Sequence, residues 1–196
     1  MALIPRYVEG HNLLAGKSVL ITAAAGAGIG FAAAKKCVEE GCRALFISDI
    51  HEGRTAQAVA ALKALGGTQQ VFGLVANVTD EAQVQALVNA AEDELGGVDV
   101  LINNAGLGGT KALVDMTDEE WQRVLDITLT GTMRMTRAML RVMQGRKAGV
   151  IVNNASVLGW RAQKEQAHYA AAKAGVMGLT RCSALEAADH GVRINA

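Results

Sequence analysis

Tyr169-Ala-Ala-Ala-Lys173 sets a phenol and an ammonium four residues apart, a spacing that on a helix puts both on one face, within reach of each other or of one ligand. A phenol is a poor base at neutral pH, but a neighbouring ammonium favours the phenolate, so such a pair can exchange a proton with an alcohol or carbonyl oxygen. Ser156 stands 13 residues before Tyr169, directly after an aliphatic run, in Asn153-Asn154-Ala155-Ser156. That places it at the carboxyl end of a strand, beside the crevice where open α/β sheets bind ligands, and its hydroxyl can donate to the same oxygen as charge develops there. Asn103-Asn104-Ala105-Gly106 follows another aliphatic run and brings amides to that edge.

A second group of residues has the chemistry of phosphate and ribose recognition. Ala23-Ala24-Ala25-Gly26-Ala27-Gly28-Ile29-Gly30 comes straight after the first aliphatic run, and a helix begins among its last glycines. Glycines there permit a tight turn and close approach of a pyrophosphate, whose charge meets the free N–H groups and positive end of the helix. The plain alternative is a tight turn with close helix packing. Asp49 ends the second aliphatic run, 19 residues after Gly30, the distance at which a carboxylate accepts hydrogen bonds from an adenosine ribose. The alternative for Asp49 is a solvent-facing strand end. The carboxylate would repel a ribose phosphate, and neither Arg nor Lys lies inside the turn, so NAD is favoured over NADP.

Both groups need a frame that gathers strand ends along one edge. Aliphatic runs at Ser18 to Thr22, Ala44 to Ser48, Val71 to Val75, Val98 to Asn103 and Gly149 to Asn153 alternate with segments of helical period. Those segments are Ile29 to Glu40, Glu52 to Leu65, Glu81 to Leu95, Asp118 to Met143 and His168 to His190. The alternation predicts repeated βα units around a buried parallel sheet, with Val192 to Asn195 beginning a sixth strand. Thr117 to Glu120 has the form of a capping box. No linker or repeat divides residues 1–196, so one domain is expected.

Composition removes several other functions. Nineteen basic and nineteen acidic residues cancel, which argues against a nucleic-acid binder or a polybasic membrane anchor. The uncharged stretch Ser18 to Ala34 is too short for a membrane span. Cys37, Cys42 and Cys182 are odd in number without a Cys-x-x-Cys pair, and His11, His51 and His190 lack ligand spacing. Neither a disulfide framework nor a metal site is expected, and a reducing cytoplasm fits. Met1 to Gly16, with Pro5, Arg6, Glu9 and His11, has no apolar run of signal-peptide length.

On these residues, in this order, the chain resembles the short-chain dehydrogenases/reductases from about Lys17 to its last residue. The resemblance implies a Rossmann-type α/β fold, a doubly wound parallel sheet flanked by helices. It also implies nicotinamide-dependent oxidation of an alcohol or reduction of a ketone on a small-molecule substrate, and a homo-oligomer, dimer or tetramer, built on two long helices. By resemblance Tyr169 exchanges the proton, Lys173 also holds the nicotinamide ribose, and Ser156 donates to the reacting oxygen. The coenzyme positions are Ala24, Gly26, Gly28, Ile29, Gly30, Asp49, Asn77, Val78, Asn104, Ala105 and Gly106, with Tyr169 and Lys173. Val114 to Trp121 and Asn153 to His168 resemble actinobacterial members of steroid catabolism that act on a hydroxy or keto group of an indane-propionyl-CoA. Relatives called 3-oxoacyl-carrier-protein reductases share the chemistry.

Four departures from the family pattern set further expectations. The family's turn begins Thr-Gly where Ala23-Ala24 stand here, with Gly26 added, and coenzyme binding survives if that turn avoids positive φ. An Asn in the family's long helix aligns with Thr128, whose hydroxyl could hold a relay water but loses the amide's paired donor and acceptor. Asn77 replaces an Asp before Val78, with an amide oxygen that can still accept from the adenine amine. The family continues through later strands, so the domain is expected to be C-terminally incomplete, lacking the last strand or strands. The competing class is a catalytically silent nucleotide-binding or oligomerisation module, against which Ser156, Tyr169 and Lys173 together argue. His168 is expected on a helix surface, and Arg134, Arg137 and Arg141 on a solvated or subunit-facing one. Trp121 reads as packing, and Trp160 as either packing or a wall of the substrate cleft.

Overall fold

Six short strands form one sheet in the computed structural model, which describes residues 8–68 and 70–196. Pro5 and Arg6, discussed above, lie outside the described residues. The strands are β1 (Ser18–Ile21), β2 (Ala44–Asp49), β3 (Val71–Val75), β4 (Val100–Asn103), β5 (Gly149–Asn153) and β6 (Val192–Asn195). They lie in the order β3-β2-β1-β4-β5-β6, every neighbouring pair parallel. The expected Rossmann-type sheet is therefore present. The chain winds outward in both directions from β1, and the crevice at that reversal, between β1 and β4, is where open parallel sheets take ligands.

The helices are α1 (Ile29–Glu39), α2 (Glu52–Ala64), α3 (Glu81–Leu95), α4 (Asp118–Leu125), α5 (Gly131–Arg146) and α6 (Ala167–Ala188). Alternate residues of β1 divide between two cores, as a strand's twofold side-chain period requires. Val19 and Ile21 pack with Ala34, Cys37, Leu45 and Leu62 under α1 and α2, whereas Leu20 packs with Leu87, Leu101, Met135, Met139 and Ile151 under α3 and α5. Each fully buried aliphatic or Met side chain contributes about 1.5–3 kcal/mol of transfer free energy. Burial also pushes the Cys37 thiol up to about 12 and the Cys42 thiol to about 11, so both stay protonated. Among the described residues no helix is long and apolar enough to cross a membrane.

One expected element divides. Asp118 to Met143, read as one long helix, becomes α4 and α5 joined by a wider i→i+5 turn over Asp126–Thr130. Such a turn inserts a residue into the helical winding and is frequent at functional sites. The capping box at α4 forms as expected, with Thr117 Oγ accepting from the Glu120 N–H (3.2 Å) and Glu120 Oε2 accepting from the Thr117 N–H (2.9 Å).

Candidate active site

The glycine-rich turn is anchored by a residue just before it. Thr22, buried at the end of β1, accepts on its hydroxyl from the N–H groups of Asn104 (3.0 Å) and Ala105 (3.1 Å), which joins the turn to the end of β4. Ala23 then takes φ +50°, and Gly26 takes φ +100°. The condition that the turn avoid positive φ is thus not met: Gly26 bears it freely and Ala23 does not. Alanine holds the left-handed position at a cost of roughly 1 kcal/mol, and the stress on that position falls at Ala23, directly after Thr22. Ala24 is corrected as a coenzyme position, because the turn points it into the core, fully buried, with its N–H donated to the Ser48 carbonyl (2.9 Å). Gly28 starts α1 with no side-chain cap and no acid in the first turn, leaving N–H groups and the helix's positive end to serve an anion. Gly30 sits where α1 crosses the turn: a Cβ there would lie 2.3 Å from the Ala23 carbonyl oxygen and 2.5 Å from Asn104 Nδ2.

A cavity of about 350 Å³ beside the turn is lined by Ala23, Asp49, Asn77, Val78, Ala105 and Gly106, among others. Asp49 is 6% exposed, and its Oδ1 accepts from the His51 N–H (3.1 Å) and from Arg54 Nη2 (3.2 Å). Arg54, half-exposed on the first turn of α2, reaches over Gly26, whose Cβ position lies 3.9 Å from the arginine stem. Sequence reasoning missed it by looking for cations only inside the turn; five positions past the strand-end acid is where α2 swings back over it. Asn77 needs a correction as well. Its amide oxygen accepts from the Thr79 N–H (3.0 Å) and hydroxyl (2.9 Å), so both lone pairs assigned to the adenine amine are committed to the turn that opens α3.

The catalytic candidates meet at the other side of the crevice, in two cavities that share Ile29, Asn104 and Asn154 as wall. Ser156 and Trp160 line one of about 620 Å³, and Gly28, Gly106, Tyr169 and Lys173 line one of about 380 Å³. Lys173 is 4% exposed; Nζ donates to the Asn154 carbonyl at 2.5 Å and stands 5.6 Å from the centre of the Tyr169 ring. Burial draws its pKa below the ordinary lysine value. Ser156 Oγ accepts from the Leu158 N–H (3.2 Å), opening the short turn Val157–Gly159.

Asn103, expected to bring an amide to the crevice edge, is corrected: it sits beside Asn153 in the β4–β5 register, and both are buried. Asn103 Nδ2 donates to Asn153 Oδ1 (2.9 Å) and Thr136 Oγ (3.0 Å), and Asn153 Nδ2 donates to Thr180 Oγ (2.9 Å). Their neighbours face the crevice, Asn154 Nδ2 donating to Asn104 Oδ1 (2.9 Å). The repeated Asn-Asn at two strand ends was the available signal for this buried brace between β4, β5, α5 and α6.

Thr128 is fully buried in the i→i+5 turn; it donates its hydroxyl hydrogen to the Leu107 carbonyl (3.1 Å) and accepts from the Leu107 N–H (2.9 Å). One oxygen thus serves as donor and acceptor, but both to Leu107, so its hydrogen is committed to the loop that carries Gly106 and only its second lone pair is left to meet a relay water. Thr128→Val keeps the shape and strands both Leu107 groups, at about 1–3 kcal/mol for each buried group left unpaired. Urea unfolding should show that loss, and any ketone-linked turnover should fall about tenfold as the loop loosens; unchanged stability would reject the role.

His168 is corrected from a helix-surface residue to a buried one. It is 2% exposed under Gly109, whose Cβ position lies 3.1 Å from Nε2, as α6 packs against α4. Arg134 pairs with Asp126 (2.9 Å) and Arg137 with Glu81 (2.6 Å), so these two cations of the stripe are partly neutralised.

Comparison with known proteins bears on this arrangement. The family model described as short chain dehydrogenase matches residues 17–196. A Mycobacterium tuberculosis protein named (5R,7aS)-5-hydroxy-7a-methyl-1-oxo-2,3,5,6,7,7a-hexahydro-1H-indene-carboxyl-CoA reductase is 56% identical, over 100% of this chain and 74% of its own length. A 3-oxoacyl-(acyl-carrier-protein) reductase of Vibrio harveyi is 40% identical over 93% of this chain and 72% of its own. Among solved structures, a short chain dehydrogenase from Mycobacterium smegmatis superposes with a TM-score of 0.95 at 56% identity, covering 98% of this chain and 78% of that one.

Proposed function

The chain belongs to the short-chain dehydrogenase family, and from that premise we propose that it moves a hydride between a nicotinamide coenzyme and a ring ketone or the matching secondary alcohol. The observation that carries this is the buried Lys173 ammonium, 5.6 Å from the Tyr169 ring and beside the cavity that holds Ser156. In the ketone direction Tyr169 gives its phenolic proton to the carbonyl oxygen, and Ser156 donates a hydrogen bond to that oxygen as it gains charge. Lys173, held by the Asn154 carbonyl, would steady the phenolate left behind and would hold the coenzyme ribose. The bound nicotinamide supplies or accepts the hydride. The relative 56% identical to this chain favours a carbonyl on a fused ring carried as a CoA thioester.

For the coenzyme we propose NAD, with Asp49 accepting from the adenosine ribose hydroxyls and the start of α1 facing the pyrophosphate. Arg54 supports a second reading: released from Asp49, its guanidinium could meet a ribose phosphate and admit NADP. Titration with NADH and NADPH, followed by ketone-dependent oxidation of whichever binds, tests both. Asp49→Ala should weaken NADH about 10–100-fold, the worth of hydrogen bonds to a charged group, and improve NADPH; an Asp49→Ala protein that prefers NADH as before would remove Asp49 from the site. Binding without turnover on any ketone would favour the silent module. We further propose a cytoplasmic homo-oligomer, a dimer or tetramer joined through α5 and α6, since α6 leaves Leu185 and Cys182 exposed on its outer face.

A further inference from the structure

Asn104 fixes the glycine turn with its whole amide group. Its Nδ2 donates to the carbonyls of Thr22 (3.2 Å) and Ala23 (3.0 Å), and its backbone N–H donates to Thr22 Oγ (3.0 Å). With Nδ2 turned toward those two carbonyl oxygens, Oδ1 has to face the other way, toward the end of β5, where it accepts from Asn154 Nδ2 (2.9 Å). Position 154 therefore has to supply a donor; a carboxylate there would set oxygen against oxygen.

Asn154 is held in two further ways. Its N–H donates to the Asn103 carbonyl (2.8 Å), which carries the β4–β5 pairing past the strand ends, and its own carbonyl accepts from Lys173 Nζ (2.5 Å). With the N–H and the side chain both fixed, the direction of that carbonyl is fixed as well. The rest of the ammonium's surroundings gives it less to hold: the Tyr169 ring on its own helix, 5.6 Å away at the centre, and Gly106 after β4, whose Cβ position lies 3.6 Å from Nζ and 3.8 Å from the Thr128 hydroxyl. Burial acts on its charge with no carboxylate among the described residues to offset it. Three hydrogen bonds thus run unbroken from Ala23 through Asn104 and Asn154 to Lys173.

We propose, on the ketone-reduction reading above, that Asn154 is a positioning residue: its side-chain amide, fixed on Asn104, aims the carbonyl that seats the Lys173 ammonium and so ties the proton-transfer pair to the coenzyme turn. Asn154 gives up no proton and meets no reacting atom. Its effect is on place. Released from Asn104, the carbonyl turns about the backbone, the ammonium loses its acceptor in a buried site, and the charge is no longer held where the Tyr169 phenolate forms.

The test reads Lys173 itself, on the full chain without coenzyme, by acetic anhydride labelling against pH with the Lys173 peptide followed by mass spectrometry. Asn154→Ala should move the midpoint of that titration to lower pH and raise labelling below it roughly 3–10-fold, since the ammonium loses a hydrogen bond that the neutral amine does not need. Greater access alone would raise the whole curve and leave its midpoint in place, and that result overturns the proposal. Asn104→Ala, two hydrogen bonds from Lys173, should give the same shift. The double variant should exceed either single one by less than about twofold, because each breaks the same chain, and shifts that multiply overturn the proposal. On a reducible ketone Asn154→Ala should lower kcat about tenfold with KM within about twofold. If the wild type reduces no ketone, the reading above fails separately and the labelling still decides. Asn154→Leu, which fills the space, repeats the measurement, and failure of both variants to fold would show that Asn154 supports the sheet and overturn the proposal.

Discussion

Tyr169→Phe should reduce ketone turnover about a thousandfold while coenzyme affinity stays within about twofold. The phenyl ring keeps its shape and its place beside Gly108, whose Cβ position lies 3.8 Å from the ring edge, in a loop fastened by Thr128 and Leu107. Only the hydroxyl is lost, and a positioned proton donor is worth roughly 10²–10⁴-fold. Retention of rate within tenfold would move the proton to another donor, with Ser156 the first to examine. Lys173→Met should behave differently, impairing both turnover and coenzyme binding, since it fills the space but removes the ammonium and leaves the Asn154 carbonyl unpaired. The pH profile follows from the same burial. The ammonium is the active form and desolvation disfavours it, so rising pH removes it earlier than it would an exposed lysine. The alkaline limb of kcat/KM should accordingly fall below the ordinary lysine titration near 10.5, and a limb above that value would exclude Lys173 as its source.

Gly30→Val should abolish measurable coenzyme binding and lower stability by about 3 kcal/mol. The new Cβ would meet the Ala23 carbonyl oxygen at 2.3 Å, and that atom is backbone in a turn already strained at φ +50°. Either α1 moves off the turn or Asn104 releases the Thr22 and Ala23 carbonyls it now holds at 3.2 and 3.0 Å. Overpacking of this kind costs typically 1–3 kcal/mol, and the shift also carries the helix N-terminus away from its anion. Gly28→Ala is the informative contrast. Nothing lies within 4 Å of its Cβ position, which opens on the cavity of Tyr169 and Lys173. It should melt like the wild type yet bind NADH more weakly. Thermal melts and coenzyme titrations on the pair separate the two effects, and a Gly30→Val protein that binds NADH normally would mean that the turn does not hold the pyrophosphate.

The strands, the helices and the pairing of Tyr169 with Lys173 could be read from the chain because they rest on local periods. The unbroken run of β1, buried on both faces, the i,i+4 spacing on α6 and the cap at Thr117 are decided by neighbours within a few positions. What tertiary structure alone decided lies in contacts between distant segments. Thr128 meets Leu107 21 residues away because the i→i+5 turn drops its hydroxyl onto the loop after β4, and Asn103 meets Asn153 50 residues away because β4 and β5 lie in register. His168 is buried because α4 and Gly109 close over it, and Asp49 receives Arg54 because α2 folds back across the strand end. A residue's type limits which hydrogen bonds it can make; packing of segments far apart in the chain selects the partner, and no short period records that choice.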